Sequence, residues 1–222
     1  IGEIMMDFIT ALRSKVTGEV FACLDLMDVL SMYLKPRDVV TRLLAGGVII
    51  RIKKGLYCFG DALRRRPVNR KYVANLIYGP SYVSLEYAMH YHGLIPEQVY
   101  TVTSVTSNRS RGFDTPLGEF SYRMLSKNRY AVGQIMDSAE ETTFLIATPE
   151  KALIDKVWTD SRFDGTRISE FQEYLVNDLR IEMDTLGELD SNLMREICDV
   201  YGSAKIRNLL VYLNRIWSVN NA

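Results

Sequence analysis

Val48-Ile49-Ile50-Arg51-Ile52-Lys53-Lys54-Gly55-Leu56-Tyr57-Cys58-Phe59 decides the fold. Two runs rich in β-branched and aromatic residues flank a Lys-Lys-Gly turn, where glycine supplies the backbone freedom that a tight reversal needs. The stretch is predicted to be a β-hairpin with a cationic tip. Immediately before it, Gly46-Gly47 ends a helix that begins at Pro36, a residue tolerated in a first turn. Val39, Val40, Leu43 and Leu44 line one face of that helix. Further back, Leu24, Leu26, Met27, Val29 and Leu30 predict a short second helix, and Val20-Phe21 a short extended piece. Ile4, Met5, Phe8, Ile9 and Leu12 predict a first amphipathic helix ending around Thr17-Gly18. Three helices followed by such a hairpin predict a winged helix-turn-helix domain over residues 1–68. In that arrangement the third helix enters the major groove and the hairpin straddles backbone or minor groove.

Charge agrees with the pattern. The 222 residues carry no formal net charge, yet residues 1–78 hold 13 Lys plus Arg against 7 Asp plus Glu, a net of +6, and the remainder holds 14 against 20, a net of −6. Residues 35–71 alone hold 11 basic and 2 acidic side chains, a local field that a phosphate backbone attracts by counterion release. The polar face of the third helix carries Lys35, Arg37, Asp38, Thr41 and Arg42. Arg37 and Arg42 are expected to reach base edges or phosphates, Thr41 a thymine methyl, and Lys35 a phosphate. Arg51, Lys53 and Lys54 are expected to be wing contacts. Each could instead be an ordinary surface charge; together, on this topology, they point to DNA. Arg64-Arg65-Arg66-Pro67 and Arg70-Lys71 form a basic linker, read equally well as following the DNA backbone or as a solvated connection.

Residues 69–222 read as a second, α+β domain without a regular βαβ repeat. A helix is predicted from Asn69 to Ile77, and Gly79-Pro80-Ser81 serves as a break and cap before a helix over 82–91 closed by Gly93. Strands are predicted over 99–105, 118–125 and 143–147, and Thr148-Pro149-Glu150 caps a helix running to Trp158. From Ser169 to Trp217, Leu193, Ile197, Val200, Ile206, Leu209, Leu210, Leu213 and Trp217 recur at helical spacing and predict a closing helical bundle.

Several segments, taken in order, resemble the AbiEi-type antitoxins, the regulator halves of type IV toxin-antitoxin and phage-defence (abortive infection) operons. They are Arg51 to Tyr57 in the wing; Gly79-Pro80-Ser81-Tyr82-Val83-Ser84-Leu85-Glu86-Tyr87-Ala88; and Tyr100-Thr101-Val102-Thr103-Ser104. Arg109 with Phe113, Thr115-Pro116-Leu117-Gly118 and Phe120-Ser121-Tyr122-Arg123 follow, and then Ala147-Thr148-Pro149-Glu150-Lys151-Ala152-Leu153-Ile154-Asp155. The wing segment is shared by many winged regulators, whereas the later series is more specific. The resemblance implies a repressor of its own operon at inverted repeats in double-stranded DNA. It also implies a C-terminal antitoxin domain that counters a nucleotidyltransferase-like toxin without a stable complex. Arg109, Arg111 and Arg123 form a candidate second basic surface, weighed against an equal reading as solvated loop and strand charges.

Enzyme signatures are sparse. His90 and His92 lie two apart on a predicted helix and so point in different directions, unlike the i, i+4 pair of a zinc helix. Glu140-Glu141 and the pair Glu150 and Asp155 offer carboxylates, but acidic residues near helix starts are better explained by the dipole, and Thr148-Pro149 accounts for Glu150. Cys23, Cys58 and Cys198 form neither a metal knuckle nor a paired framework, which suits a reducing compartment. Tyr82, Tyr87, Tyr91 and Tyr100 read as core packing rather than a stacking platform. No cofactor, metal or catalytic residue is expected, nor a membrane span or signal segment. The expectation is a cytoplasmic monomer or weak dimer. Two rivals remain: a winged module that docks a protein, and a nucleic-acid-modifying enzyme.

Overall fold

A computed structural model of the chain describes residues 2–220, and side chains for residues 7–218. Ile4 and Met5 therefore lie outside the residues whose packing is described. The fold is mixed α+β, with two sheets among the described residues.

Strand β1 (Val20–Ala22), helices α1 (Gly2–Lys15), α2 (Cys23–Val29) and α3 (Pro36–Ala45), and strands β2 (Ile49–Lys53) and β3 (Leu56–Phe59) make up the first third. β2 and β3 pair antiparallel around Lys54 and Gly55, and Gly55 takes a φ of 88° that side chains avoid. β1 joins the other edge of β3, giving the order β1-β3-β2. Asp25 accepts a hydrogen bond from the Ala22 amide at 2.8 Å, and Pro36 occupies the first turn of α3. Phe8, Leu12, Phe21, Leu26, Leu30, Val40, Leu43, Ile49, Tyr57 and Phe59 form one buried cluster. Beside it, the Arg13 guanidinium makes a bidentate bond with Glu19 at 3.0 and 2.8 Å and lies 3.6 Å from the Phe59 ring centroid.

The larger sheet is built from β4 (Ser81–Val83), β5 (Val102–Thr106), β6 (Arg111–Thr115), β7 (Gly118–Met124), β8 (Gln134–Ala139) and β9 (Thr142–Ala147), in the order β6-β7-β5-β4-β9-β8. Two of its pairings, β5 with β7 and β4 with β9, are parallel. Helix α4 (Arg70–Ile77) packs on β4, β5 and β9, and the Asn69 side chain accepts from the amides of Lys71 and Tyr72 to start it. α5 (Leu85–Tyr91) and α7 (Pro149–Thr159) pack together, α5 also against β5 and α7 against β9. A short α6 (Lys127–Tyr130) follows β7. The chain then ends in α8 (Glu170–Gln172) running into a π-helical segment (Glu173–Asp178), followed by α9 (Met183–Glu188), α10 (Ser191–Tyr201) and α11 (Ala204–Asn220). Within the described residues, no helix is long and apolar enough to cross a membrane.

The helix expected over 82–91 is corrected: Ser81, Tyr82 and Val83 form β4 between β5 and β9, and helix α5 begins only at Leu85. The β-favouring pair Tyr82-Val83 outweighs the capping signal that Ser81 offered. Glu140 and Glu141 start no helix. They make the two-residue turn of the β8-β9 hairpin, at φ of 48° and 60°, the pattern of a type I′ turn.

The larger buried cluster spans residues from Val73 to Trp217 and also includes Ile52, Leu56 and Cys58 of the first hairpin. β2 and β3 thus contribute to both cores.

Candidate nucleic-acid interface

On α3, Val40 and Leu43 are buried while Arg37, Thr41 and Arg42 are exposed, as the helical period dictates. Lys35 precedes the first residue of the same helix and is also exposed. Thr41 Oγ1 donates to the Arg37 carbonyl at 3.1 Å, one turn back on the same exposed face. Among the described residues, Lys35, Arg37, Arg42, Arg51 and Lys54 have no salt-bridge partner. Arg51 is exposed on β2 and Lys54 at the hairpin turn.

Lys53 requires a correction. The pairing of β2 with β3 shifts register between Arg51 and Lys53, so the side chain does not follow Arg51 outward. Its ammonium donates to the Ile77 carbonyl and lies 5.7 Å from the Phe113 ring centroid. It ties the hairpin to α4 and β6 rather than facing outward.

Apart from the exposed Arg65, the basic linker is likewise engaged inside the molecule. Arg64 bonds Asp61 at 2.7 Å and the Phe59 carbonyl at 2.8 Å, and Arg66 pairs with Glu141. Arg70 donates to the Tyr100 carbonyl at 2.7 Å, and Lys71 lies 5.1 and 5.2 Å from the ring centroids of Tyr91 and Phe144. Of these, Arg66 joins the two halves, while Arg64 bonds within the first and Arg70 and Lys71 within the second.

Arg109, Arg111 and Arg123 are all exposed, but they do not share one surface. Arg111 sits opposite Tyr122 in the β6-β7 register, on the face where Phe113 packs with Tyr78 and Tyr122. Arg123 is one residue further along β7 and projects from the opposite face, into a cleft with Thr103 and Ser121. Arg109 lies in the loop before β6.

One cluster escaped the reading of the residues. Lys151 and Asp155, four apart on α7, are both fully buried and 2.9 Å apart. Tyr82 and Ser84 donate to Asp155 Oδ2 at 3.0 and 2.7 Å, and Tyr201 donates to Oδ1. Lys151 also donates to the Tyr201 hydroxyl at 2.7 Å and the Arg129 carbonyl at 2.6 Å. Desolvation pushes the Lys151 ammonium down, against the pull of Asp155. Desolvation also drives the Tyr82 and Tyr201 phenols well up, with Asp155 adding to the effect. Every member is satisfied and sealed from solvent, which makes this a structural network rather than a reactive one. Two of the quoted segments, 79–88 and 147–155, meet here. Glu150 is not a helix-start ornament alone: its Oε1 accepts from the Asp190 amide at 2.9 Å at the start of α10. His92 Nε2 lies 2.8 Å from the Ala147 carbonyl.

The chain matches no protein-family model and no curated protein.

Proposed function

We propose that the chain is a DNA-binding transcriptional autorepressor with a winged helix-turn-helix at residues 1–68, and the antitoxin of a type IV toxin-antitoxin system. One observation carries the DNA-binding reading: Lys35, Arg37, Thr41 and Arg42 stand exposed along α3, without ion-pair partners among the described residues, and α3 packs beside β2, whose hairpin adds exposed Arg51 and Lys54. In this reading α3 lies in the major groove, where an arginine fork matches guanine O6 and N7 or a phosphate, and the Thr41 methyl meets thymine. Lys35, Arg51 and Lys54 hold backbone phosphates. Two copies, monomeric or weakly paired before binding, occupy inverted half-sites in the promoter of its own operon.

The antitoxin half of the reading rests on the ordered segments, and is supported by the convergence of Tyr82, Ser84, Lys151 and Asp155 from two of them on one buried network. The C-terminal domain counters a nucleotidyltransferase-like toxin without a lasting complex and without chemistry of its own. Co-expression with the neighbouring reading frame tests this: relief of growth arrest supports it, and an adjacent frame unrelated to nucleotidyltransferases overturns it.

Fluorescence anisotropy with the promoter tests the DNA reading. Loss of binding in Arg37→Ala/Arg42→Ala, with the circular dichroism spectrum retained, is expected. Binding that survives those changes and ignores salt refutes it.

A second reading, a protein-docking module, is favoured by three exposed apolar side chains on α2 and the turn that leads into α3. Leu24, Met32 and Leu34 are 81%, 94% and 103% exposed. Met32→Ser/Leu34→Ser separates the two: unchanged operator affinity leaves these residues to a protein partner, and weakened affinity assigns them to the DNA contact.

A further inference from the structure

The C-terminal domain holds a cleft that duplex binding does not use. Its walls come from the start of α5, residues 98–103, β7 and the end of α7 with the turn beyond it, and its volume is about 640 Å³. That is the size of a small-ligand site. Arg123, Lys156 and Arg162 line it against Glu86 and Asp160, three positive charges to two negative, in a part of the chain that is otherwise net acidic.

Both acids are already satisfied within the protein. Lys156 Nζ is 2.8 Å from Glu86 Oε1 and 3.0 Å from Asp160 Oδ2. Arg162 holds Asp160 through Nε and Nη2 at 3.1 and 3.0 Å, and the Tyr174 hydroxyl donates at 3.2 Å. The cationic side is not satisfied. Among the described residues, the Arg123 guanidinium has no ion pair or hydrogen bond, and Nη1 of Arg162 is unengaged. Ser121 and Ser161 add hydroxyls to the same walls.

Two further features mark the cleft. Tyr100, read from the sequence as a core residue, lines it with 72% of its surface exposed. Leu85, which also lines it, is buried in a left-handed backbone conformation at φ 60° without being glycine. Such strain persists where the surrounding structure enforces it, and it concentrates at ligand sites.

We infer that this cleft binds a nucleoside phosphate. The base stacks on Tyr100, and the phosphates are held by Arg123 and the free edge of Arg162. The unpaired Arg123 guanidinium, with the free Nη1 of Arg162, selects an anion, and the exposed aromatic ring in the same cleft selects a planar partner. The inference stands on C-terminal residues alone and holds whether or not the N-terminal domain binds duplex.

Calorimetric titration of the full chain provides the test, with ATP, GTP, CTP, UTP, tripolyphosphate, adenosine, and a pentaribonucleotide with and without a 5′-phosphate. At least one nucleoside triphosphate or the 5′-phosphorylated strand is expected to bind. Arg123→Ala should weaken it on the order of tenfold. Tyr100→Ala should weaken nucleotides but leave tripolyphosphate within about twofold. The loss caused by Arg123→Ala should persist in the Arg37→Ala/Arg42→Ala background, which separates the cleft from the α3 face. Tighter binding of the phosphorylated strand places a strand end in the cleft, and tighter binding of a triphosphate places a free nucleotide there; both support the proposal. Absence of binding by every phosphorylated probe at millimolar concentration overturns it. So do equal affinities for wild type and Arg123→Ala, or tripolyphosphate bound as tightly as the nucleotides with Tyr100→Ala silent. Both side chains are exposed, so retained circular dichroism spectra separate these outcomes from misfolding.

Discussion

Replacing Asp155 by Asn tests the buried network at its centre. The wild-type side chain accepts from Tyr82, Ser84 and Tyr201 and faces the Lys151 ammonium, so four donors converge on two oxygens. Asparagine keeps the shape, removes the charge and turns one acceptor into a donor facing donors. Lys151 remains, fully buried, without its counter-charge. Breaking a buried pair from one side costs about 3–5 kcal/mol, which for a chain of this size lowers the melting temperature by roughly 6–20 °C. Desolvation already pushes Lys151 downward, and without Asp155 to oppose it the amine sheds its proton more readily. The Lys151 pKa in the folded variant then lies below its unfolded value of about 10.4, so part of the loss is recovered as pH rises from the folded value toward the unfolded one and the buried charge disappears. Urea denaturation followed by circular dichroism at about pH 7 and about pH 9 measures this, with the smaller loss expected at the higher pH. Lys151→Met/Asp155→Asn should be less damaging than the sum of the single changes, by about 0.5–3 kcal/mol. A loss below about 1 kcal/mol for Asp155→Asn, or additive single changes, would show that the network contributes little and refute the reasoning.

The other predictions concern duplex binding, alkaline stability and one tight approach. With five outward cations on α3 and the hairpin, Lys35, Arg37, Arg42, Arg51 and Lys54, the slope of log K against log salt should reach about −4.5 per copy if all meet phosphate, and Arg37→Ala or Arg42→Ala alone should reduce its size by about 0.9. Lys53→Met should leave that slope unchanged, because its ammonium is held at the Ile77 carbonyl. Burial raises the Cys198 thiol to about 12 and drives the Tyr82 and Tyr201 phenols well above their usual range. A raised pKa contributes stability below the unfolded value and loses it as pH climbs toward the folded one. The urea midpoint should therefore fall above about pH 9, and tyrosinate absorbance from these two rings should appear only with unfolding. At Gly60 an added Cβ would lie 1.8 Å from the Gly47 carbonyl oxygen, a backbone atom that cannot rotate away. Gly60→Ala should cost about 1–3 kcal/mol and weaken operator binding by moving the hairpin against α3; an unchanged melting curve would contradict this.

The α3 helix and its hairpin were legible because their signals are local: a proline, a glycine pair, an apolar stripe and a turn. Side-chain direction at Lys53 was not, since a register shift beside the turn sends it to the Ile77 carbonyl and the Phe113 ring, partners distant in sequence. Strands β6 and β8 were silent for a related reason. Each is an edge with one neighbour, and Arg111, Gly112 and Asp114 in β6 are exposed, so no continuous apolar run announces it. Lys151 and Asp155 look like an ordinary solvated i, i+4 pair. Their burial is decided by Tyr82 and Tyr201, which are distant in sequence. Tyr100 shows the converse, an aromatic residue read as core that the fold leaves outside.

The hairpin's double allegiance has a practical outcome. Ile49, Tyr57 and Phe59 face one apolar interior, while Ile52, Leu56 and Cys58 face the other. A fragment cut after residue 68 would leave the second set bare to water and would self-associate or fold only partly. Heating the intact chain should accordingly give one transition rather than two, because neither half can melt while the other keeps its side of β2 and β3 in place.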